Sequence, residues 1–588
     1  MGELLIPNDA KYDVSTYNIL VNGKEIDSTY QLLSLAITKE VNRIPVAKIV
    51  FRDGDASLSA FQISDKPDFI PGNKVQINIG RDSKNTQAFK GIIIRHAVKV
   101  RPDGHSQLTI ECHDECVKMT VGRHSHYFED VKDNQVFDEL VEKYKLTSDP
   151  ETTKLKHKEL VQHHISDWDF LLLRAQANGM LVLADDGTVK VAKPVIGNQV
   201  LQVNYGSSIL EFESEMDARN QLKNVKARSW DYSNQQLFNA DSSSTSFAEA
   251  GNLSGSDIAD AVSPDNYEVH HSGHKLEQEL QDWADGVITR SRLSKIRGRA
   301  KCIGFAGIKP GDTLLVSGVG DRFNGKAYVT GVRQEVGGGT WETHIQFGLD
   351  PELYSYVYRN IIDPPSAGLV GSIHGLQIGV CVKLQDDPDG QHRIQVKIPV
   401  IDNDAQGIWT RVASLDAGDD RGAFFRPEIG DEVIVGFIND DPRDAVVLGM
   451  LNSSKKPAPI TAQDANNEKG FTTRSKMHIS FNDDTKTITI DTPAGNSIKL
   501  DESGTKIEII DQNQNKITMG ASGISVESQL NIDIKAGAVL TLSAGASLSI
   551  SAPSLSVKAD ADVSISGAIA KLAAQGPTEI TGLPVKIN

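Results

Sequence analysis

The chain has 588 residues, room for about three or four domains, and a net charge of −17 from 61 Lys+Arg against 78 Asp+Glu. That balance favours solubility and argues against a nucleic-acid partner, whose phosphates reward a basic surface. Four cysteines make no disulfide framework in such a length, Met1–Pro7 does not read as a secretory leader, and no apolar run approaches the roughly eighteen residues that span a bilayer.

The first part, to about Asp363, mixes strands with a few helices. Val75–Ile79 and Leu108–Cys112 alternate at period two, as half-buried strands do. Asp133 is expected to cap a helix whose Val136, Phe137, Leu140, Val141 and Tyr144 share one face. Ser166-Asp167-Trp168-Asp169 resembles a capping box with Asp in place of Glu, and Gly179 marks the end of that helix. Leu276, Leu280, Trp283 and Val287 mark a third. Between them, Asn239–Ser263 is rich in Ser, Ala and Gly and reads as a mobile excursion.

The same part contains an internal echo. Pro71-Gly72, Phe89-Lys90-Gly91 and Arg95 return in order as Pro310-Gly311, Phe323-Asn324-Gly325 and Arg333. A Pro-Gly turn, a strand, a Phe-x-Gly turn and another strand, used twice, predict two similar β-barrels over residues 1–363. Asp363-Pro364-Pro365-Ser366 is the expected linker. Residues 364–455 then read as an OB-type barrel, with strands at Val380–Leu384, Arg393–Ile398, Trp409–Ala413, Glu432–Phe437 and Ala445–Leu448. A second linker, 456–470, leads to the last region, 471–588.

That last region repeats one unit, two aliphatic residues a position apart, every seven to ten residues. The first five pairs are Ile488 and Ile490, Ile498 and Leu500, Ile507 and Ile509, Ile517 and Met519, Ile524 and Val526. The next five are Ile532 and Ile534, Leu540 and Leu542, Leu548 and Ile550, Leu555 and Val557, Val563 and Ile565. Both members of a pair fall on one face of a strand, and the gaps hold the Gly, Asn, Asp and Ser of turns. One thin apolar edge per strand is too little to fold alone, so such units need stacking into a continuous core. No aromatic residue follows Phe481, so that core must be narrow. An intertwined triple-stranded β-helix, three chains around one axis, is the expected solution, and these twenty side chains are its expected core.

Catalytic motifs are missing: no G-x-S-x-G, no phosphate loop, no H-E-x-x-H. Gly318-Val319-Gly320 begins a dinucleotide fingerprint, but Phe323 stands at its third glycine, which makes it a hairpin turn. Cys112-His113-x-x-Cys116 has no second cysteine pair to close a zinc site. The groups His124 with His126, and His270 with His271 and His274, lack an obvious third protein ligand. The basic series Arg290, Arg292, Lys295, Arg297, Arg299, Lys301 carries no interleaved aromatics for base stacking and reads as a solvated or salt-bridged surface. Asp440 and Asp441 precede a proline, where turn geometry asks for Asp. The expectation is a non-enzymatic protein with no cofactor and no metal.

Several of these segments carry a family resemblance. Val161-Gln162-His163-His164-Ile165-Ser166-Asp167-Trp168-Asp169-Phe170-Leu171, ending at Asn178-Gly179, is similar to the signature of phage late-control and hub proteins. Asp387-Pro388-x-Gly390-x-x-Arg393, Trp409-Thr410-Arg411, Gly430-Asp431-Glu432-Val433 and Asp441-Pro442 followed by Leu448-Gly449 resemble the OB domain of VgrG spike proteins, and Asn42–Ala47 resembles the start of their hub. The resemblance runs in the family's order of hub, OB barrel and β-prism. It implies a homotrimeric spike of a contractile injection machine, of type VI secretion or phage-tail-like type. It further implies a hub seated on a hexameric tube protein, a PAAR-like cone on the tip, baseplate and effector partners, and transient contact with a target membrane. Such a spike assembles in the bacterial cytoplasm and is then expelled with the injection particle.

The cone is expected on Leu583, Pro584, Val585, Lys586, Ile587 and Asn588. Only about eighteen residues separate Asn452 from Phe471, which leaves no room there for a muramidase, and no globular domain is expected after the rod. The competing reading is a phage-like tail spike or cell-wall hydrolase acting on envelope polysaccharide.

Overall fold

The computed structural model of the chain describes residues 14–81, 83–101, 106–245 and 247–587. The residues read for a leader, and Asn588 of the expected cone platform, lie outside them. The chain divides into two compact units, Met1–Gly449 and Met450–Asn588. No helix among the described residues is long and apolar enough to cross a membrane.

The first unit is built on a 13-stranded sheet. In one half, Lys74–Arg81 pairs with Lys84–Lys99, that with Gln107–His113, and that with Val46–Arg52. In the other half, Thr313–Ser317 pairs with Gly325–Gly337, that with Thr340–Phe347, and that with Ile296–Ile303. The pairing order is the same, and both Pro-Gly turns put glycine at positive φ, +99° at Gly72 and +93° at Gly311, where any Cβ would be strained. The two lobes, expected as similar barrels, share one sheet, because Leu32–Glu40 runs antiparallel to Gly325–Gly337 and carries it across. Each lobe still has its own core. One centres on Phe51, Phe69 and Phe89, the other on Leu314, Val329, Ile345 and Phe347, all at most 2% exposed.

Helices cover a third core. α1 (Asp133–Glu142) and α2 (Asp167–Ala177) pack Val136, Phe137, Leu140, Leu171 and Ala175 against the hairpin of Leu181–Asp185 with Thr188–Ala192. Asp133 does not cap α1. Its carboxylate is buried and accepts from Arg174 Nε at 2.7 Å, Asn178 Nδ2 at 2.9 Å and His157 Nε2 at 2.9 Å. The helix start is closed instead by Gln135, whose Oε1 accepts from Lys132 N. A buried carboxylate with that many donors is worth more in the core than at a solvated helix end. The capping box of α2 forms in an altered way: Ser166 Oγ accepts from Asp169 N at 3.1 Å and donates to the Asp169 carboxylate at 2.5 Å. Gly179 follows at φ +66°.

The Asn239–Ser263 excursion is anchored rather than loose, which corrects its reading from composition. It begins in the strand Gln236–Asp241, paired with Val225–Asp231, and holds the short helix α3 (Gly255–Ala259), capped by Ser254. Lys295, 2% exposed, donates to the carbonyls of Ala250 and Leu253 and pairs with Glu249 at 2.7 Å. Gly251 N donates to Asn324 O. Small residues here allow close approach to the sheet: a Cβ on Gly251 would stand 2.3 Å from Arg322 O. Beyond it, α4 (Glu277–Leu293) buries Leu280, Ala284 and Ile288, the expected face displaced by one position from Trp283 and Val287. A last short helix, α5 (Tyr354–Val357), precedes the OB barrel.

The OB barrel closes through Gln377–Lys383, Ile394–Lys397, Ile408–Val412, Ala445–Met450 and Glu432–Phe437, within two or three residues of the expected strands. Cys381, Ile394, Val396, Val433, Val435 and Val447 fill it. Gly379 is required by packing, since a Cβ would lie 2.5 Å from Val396 Cγ1. The Asp387 turn is tied by Arg393, whose Nη2 donates to Asp387 at 2.6 Å.

In the second unit, seven strands from Glu468–Thr472 to Gly523–Glu527 form one antiparallel meander, each strand paired to the next. Residues 528–587 form no strand within the chain, although the pair spacing there predicts the same alternation. The physical reason is a want of partners: a strand is defined by its backbone bonds to a neighbour, and no described segment of the chain lies alongside to supply them.

Candidate functional site

The meander turns the sequence repeat into a ladder. Ile488 faces Leu500 and Ile490 faces Ile498; Ile498 then faces Ile509 and Leu500 faces Ile507. Ile507 and Ile509 face Met519 and Ile517, which face Ile524 and Val526. The register places pair against pair without a slip, so every rung is aliphatic. The turns alternate sides of the sheet, and period-two alternation keeps each pair on one face. One further rung lies upstream of the repeat as the sequence defines it: Ile479 and Phe481 face Ile490 and Ile488. The aromatic at its second position hides it from a search for aliphatic pairs.

The two faces of this sheet differ sharply. On one, Lys499 pairs with Asp501 at 3.1 Å, and Glu508 with Lys506 at 2.9 Å and Lys516 at 2.8 Å. Bonds from Lys516 and Lys506 hold the Glu508 carboxyl below its ordinary value. That face is satisfied in water. The other face is the aliphatic ladder, and the single chain leaves it open.

The expected core is therefore not a core of one chain. Ile488, Ile490, Ile498, Leu500, Ile507, Ile509, Ile517 and Met519 are each 36% to 44% exposed. Ile524 and Val526, on the last strand of the meander, are exposed further. The distal pairs are as open as that last pair. Ile532 and Ile534, Leu540 and Leu542, Leu548 and Ile550, Leu555 and Val557, Val563 and Ile565 range from 52% to 82% exposed. None of these ten is buried, because the segment that carries them has neither a strand neighbour nor an opposing layer among the described residues. A contiguous aliphatic strip of this length exceeds what a monomer ordinarily leaves in water. At the expected cone platform, Leu583, Val585 and Ile587 are exposed too.

The remaining sequence candidates do not assemble into a site. Cys112 and Cys116 are fully buried in two different cores, and burial pushes both thiols up. Burial likewise pushes Cys302 up to about 12. His124 stands 3.8 Å from Asp167, and His126 3.8 Å from Glu139. His274 lies 3.9 Å from Asp231, while the His271 ring bonds Gly273. Gly318 and Gly320 shape the hairpin between Thr313–Ser317 and Gly325–Gly337.

All of the basic series except Arg290 is paired with acids of the same chain, Arg292 and Lys295 with Glu249 and the other three with the facing strand. Glu211, Glu213 and Glu215 lie opposite Lys301, Arg299 and Arg297 in register and pair with them at 3.1, 2.5 and 2.8 Å. Glu335, Glu342 and His344 are close enough to share a cation. Lys301, 2.8 Å from Glu342, and Arg333, bonded to Glu335, already supply the positive charge there.

Two family profiles match the chain. One described as "Alg8 N-terminal domain" matches residues 11–338, and one described as "Type VI secretion system/phage-baseplate injector OB domain" matches residues 377–451. A curated relative, the type VI secretion system spike protein VgrG1b of Pseudomonas aeruginosa, is 24% identical over 214 residues, 34% of this chain and 28% of its own length. Another, the spike protein VgrG3 of Vibrio cholerae, is 30% identical over 81 residues, 14% of this chain and 8% of its own. The chain thus spans less than a third of these relatives. Among solved structures, the 43 kDa tail protein of prophage MuSo2 from Shewanella oneidensis aligns at TM-score 0.44 and 10% identity, over 57% of this chain and 98% of that one. An Escherichia coli protein described as a component of the type VI secretion system aligns at TM-score 0.36 and 12% identity, over 74% and 99%.

Proposed function

The chain belongs to the family described by the Alg8 N-terminal domain and is a VgrG-like spike protein, and from that premise we propose that it works as a homotrimeric hub and needle that delivers thrust at a narrow tip. The observation that carries this reading is the uncovered aliphatic ladder. Three copies, each turning its ladder inward, bury every rung against its equivalents around one axis and leave the charged face in water. Each side chain so buried contributes about 1.5–3 kcal/mol before chain entropy. Closure also removes long strand edges that would otherwise recruit other chains. Beyond Glu527, where one chain forms no strand of its own, winding with two partners supplies the missing backbone pairing. The same winding covers the five distal pairs from Ile532 to Ile565, which one chain leaves open.

The two similar lobes of each chain give a trimer six similar faces, the symmetry that a hexameric tube presents. The exposed Leu583, Val585 and Ile587 form the platform for a conical cap protein. No step of this reading asks for bond chemistry. The protein acts as a load path, made without a cofactor, assembled with baseplate and cargo partners and expelled with the particle.

A cross-link tests the axis. The four native cysteines are buried, so Ile509→Cys adds a single accessible thiol per chain. Three thiols at one axis can join only two at a time, so mild oxidation should yield a linked dimer holding about two thirds of the chains within a still trimeric particle. A thiol that stays reduced and unlinked under that oxidation would count against the axial placement. Removing residues 583–588 should abolish cap binding and preserve the trimer; a truncated protein that still retains its cap would refute the platform.

A further inference from the structure

A second feature of the first unit is independent of the needle. The turn that ends α2 touches α4 at Gly179 and Gly286, where a Cβ on either residue would come 2.9 Å from the other's Cα. With no side chains at that contact, the space beside it stays open as a cavity of about 240 Å³ running along α4. Leu173, Ala177, Met180, Trp283, Val287 and Leu353 give it apolar walls. Its floor is polar but neutralised: the Asp133 carboxylate takes up Arg174, Asn178 and His157. At the rim, Asp282 is engaged by Lys193 and Gln278, and Glu279 accepts from Leu276 N.

Lys275 and Glu279 line the cavity without an ion pair among the described residues and offset each other in sign, which leaves Arg290. Arg290, in the last turn of α4, lines the cavity and donates only to main-chain oxygens, Asp350 O at 2.7 Å and Glu352 O at 3.0 Å. No carboxylate reaches ion-pair distance of it among the described residues; burial holds its pKa below the ordinary value, outweighing the opposing pull of the more distant Asp350 carboxylate. A partly desolvated guanidinium at the end of an apolar channel selects for an anion with an apolar body.

We propose that this cavity binds a chain-like carboxylate, its aliphatic or aromatic body along α4 between Leu173 and Trp283 and its carboxylate on Arg290. Two sources share that chemistry, a free aliphatic acid and the C-terminal residues of a polypeptide. Isothermal titration of the full-length protein with decanoate, with decanol, and with an apolar pentapeptide bearing either a free or an amidated C-terminus separates them. The acid or the free-ended peptide should bind at least about tenfold more tightly than its neutral counterpart, and whichever does so names the source. Arg290→Gln should erase that preference, and Ala177→Phe, which fills the channel without touching Arg290, should abolish binding. Equal binding of charged and neutral probes, binding that survives Ala177→Phe, or no binding by any probe would overturn the proposal.

Discussion

Two regions of this chain use the same period-two alternation of aliphatic side chains and end in opposite states. In Lys74–Arg81, Val75, Ile77 and Ile79 are at most 2% exposed, whereas in Ser497–Asp501, Ile498 and Leu500 are 40% and 41% exposed. The first strand faces broad side chains: Phe51 and Phe69 pack with ring centroids 5.1 Å apart and planes tilted by 36°, and Phe89 is fully buried beside them. Wide rings bridge the gap between layers of one chain. The second region has no aromatic after Phe481, and its strip of Ile, Leu and Val is too narrow to be covered by anything but an equally narrow strip. Alternation therefore creates an apolar face, and the breadth of the residues on it decides whether the chain itself or other copies cover that face.

Substitutions can break this comparison, and the largest effect belongs to the ladder. Ile507→Asp would set three like charges around one dry axis, a cost of well over about 5 kcal/mol per assembly. The particle should fall apart on a sizing column while the first unit keeps its thermal transition. A trimer that persists would remove the packing argument.

Next comes the buried carboxylate of the first unit. Asp133→Asn should cost about 3–5 kcal/mol by stranding Arg174 and leave the oligomer unchanged, as read by denaturant unfolding and sedimentation. Burial pushes the Asp133 carboxyl up, but bonds from His157, Arg174 and Asn178 outweigh this and hold it well below the usual carboxylate range. A depressed folded-state pKa means that its stabilisation is complete above the unfolded value, about pH 4, and is lost as the pH falls through the folded one. Wild type and Asp133→Asn should thus melt far apart at pH 7 and draw together below pH 4. A gap that stays constant with pH would show that the carboxylate's charge is not what stabilises it.

The comparison sharpens with one methyl group. Ile394→Val in the OB core should cost about 0.5–1.5 kcal/mol in the unfolding of each barrel, which belongs to one chain, while Ile507→Val should cost that amount three times in the single cooperative unfolding of the needle. Unfolding of the second unit should accelerate correspondingly more; equal effects at the two sites would mean that the ladder packs within one chain. The smallest effect is expected on the charged sheet surface. Glu213 and Arg299 are each more than 70% exposed, so Glu213→Gln should change stability by less than about 1 kcal/mol and vanish at high salt.

The sequence carried some of this plainly and hid the rest for physical reasons. The rungs of the ladder, the OB strands and the repeated Pro-Gly turns were legible because each depends on local pattern, and the positive φ of Gly72 and Gly311 is the local property that the motif encodes. What was not legible depends on partners distant in sequence. Asp133 looks like a helix cap until Arg174 and Asn178 arrive from α2. The Ser/Gly-rich stretch looks loose until Lys295 reaches Glu249 and the carbonyls around it. The basic series reads as a solvated or salt-bridged surface, but which acids pair with it shows only when the strand Glu211–Met216 supplies its glutamates in register. The joining of the two lobes through Leu32–Glu40 is likewise a pairing about three hundred residues apart, beyond the reach of any local pattern. The distal pairs show the limit from the other side: Leu542 and Ile550 have the spacing of strand residues, yet one chain cannot give them a strand to sit in.

The mass of the undisturbed particle bears most directly on the central claim. Native mass spectrometry or sedimentation equilibrium of the full chain, combined with hydrogen exchange across residues 488–565, should report three times the 63.9 kDa chain mass and slow exchange along the whole repeat. A 63.9 kDa species with the repeat equally protected would contradict it, because the aliphatic ladder would then be stable without copies to cover it.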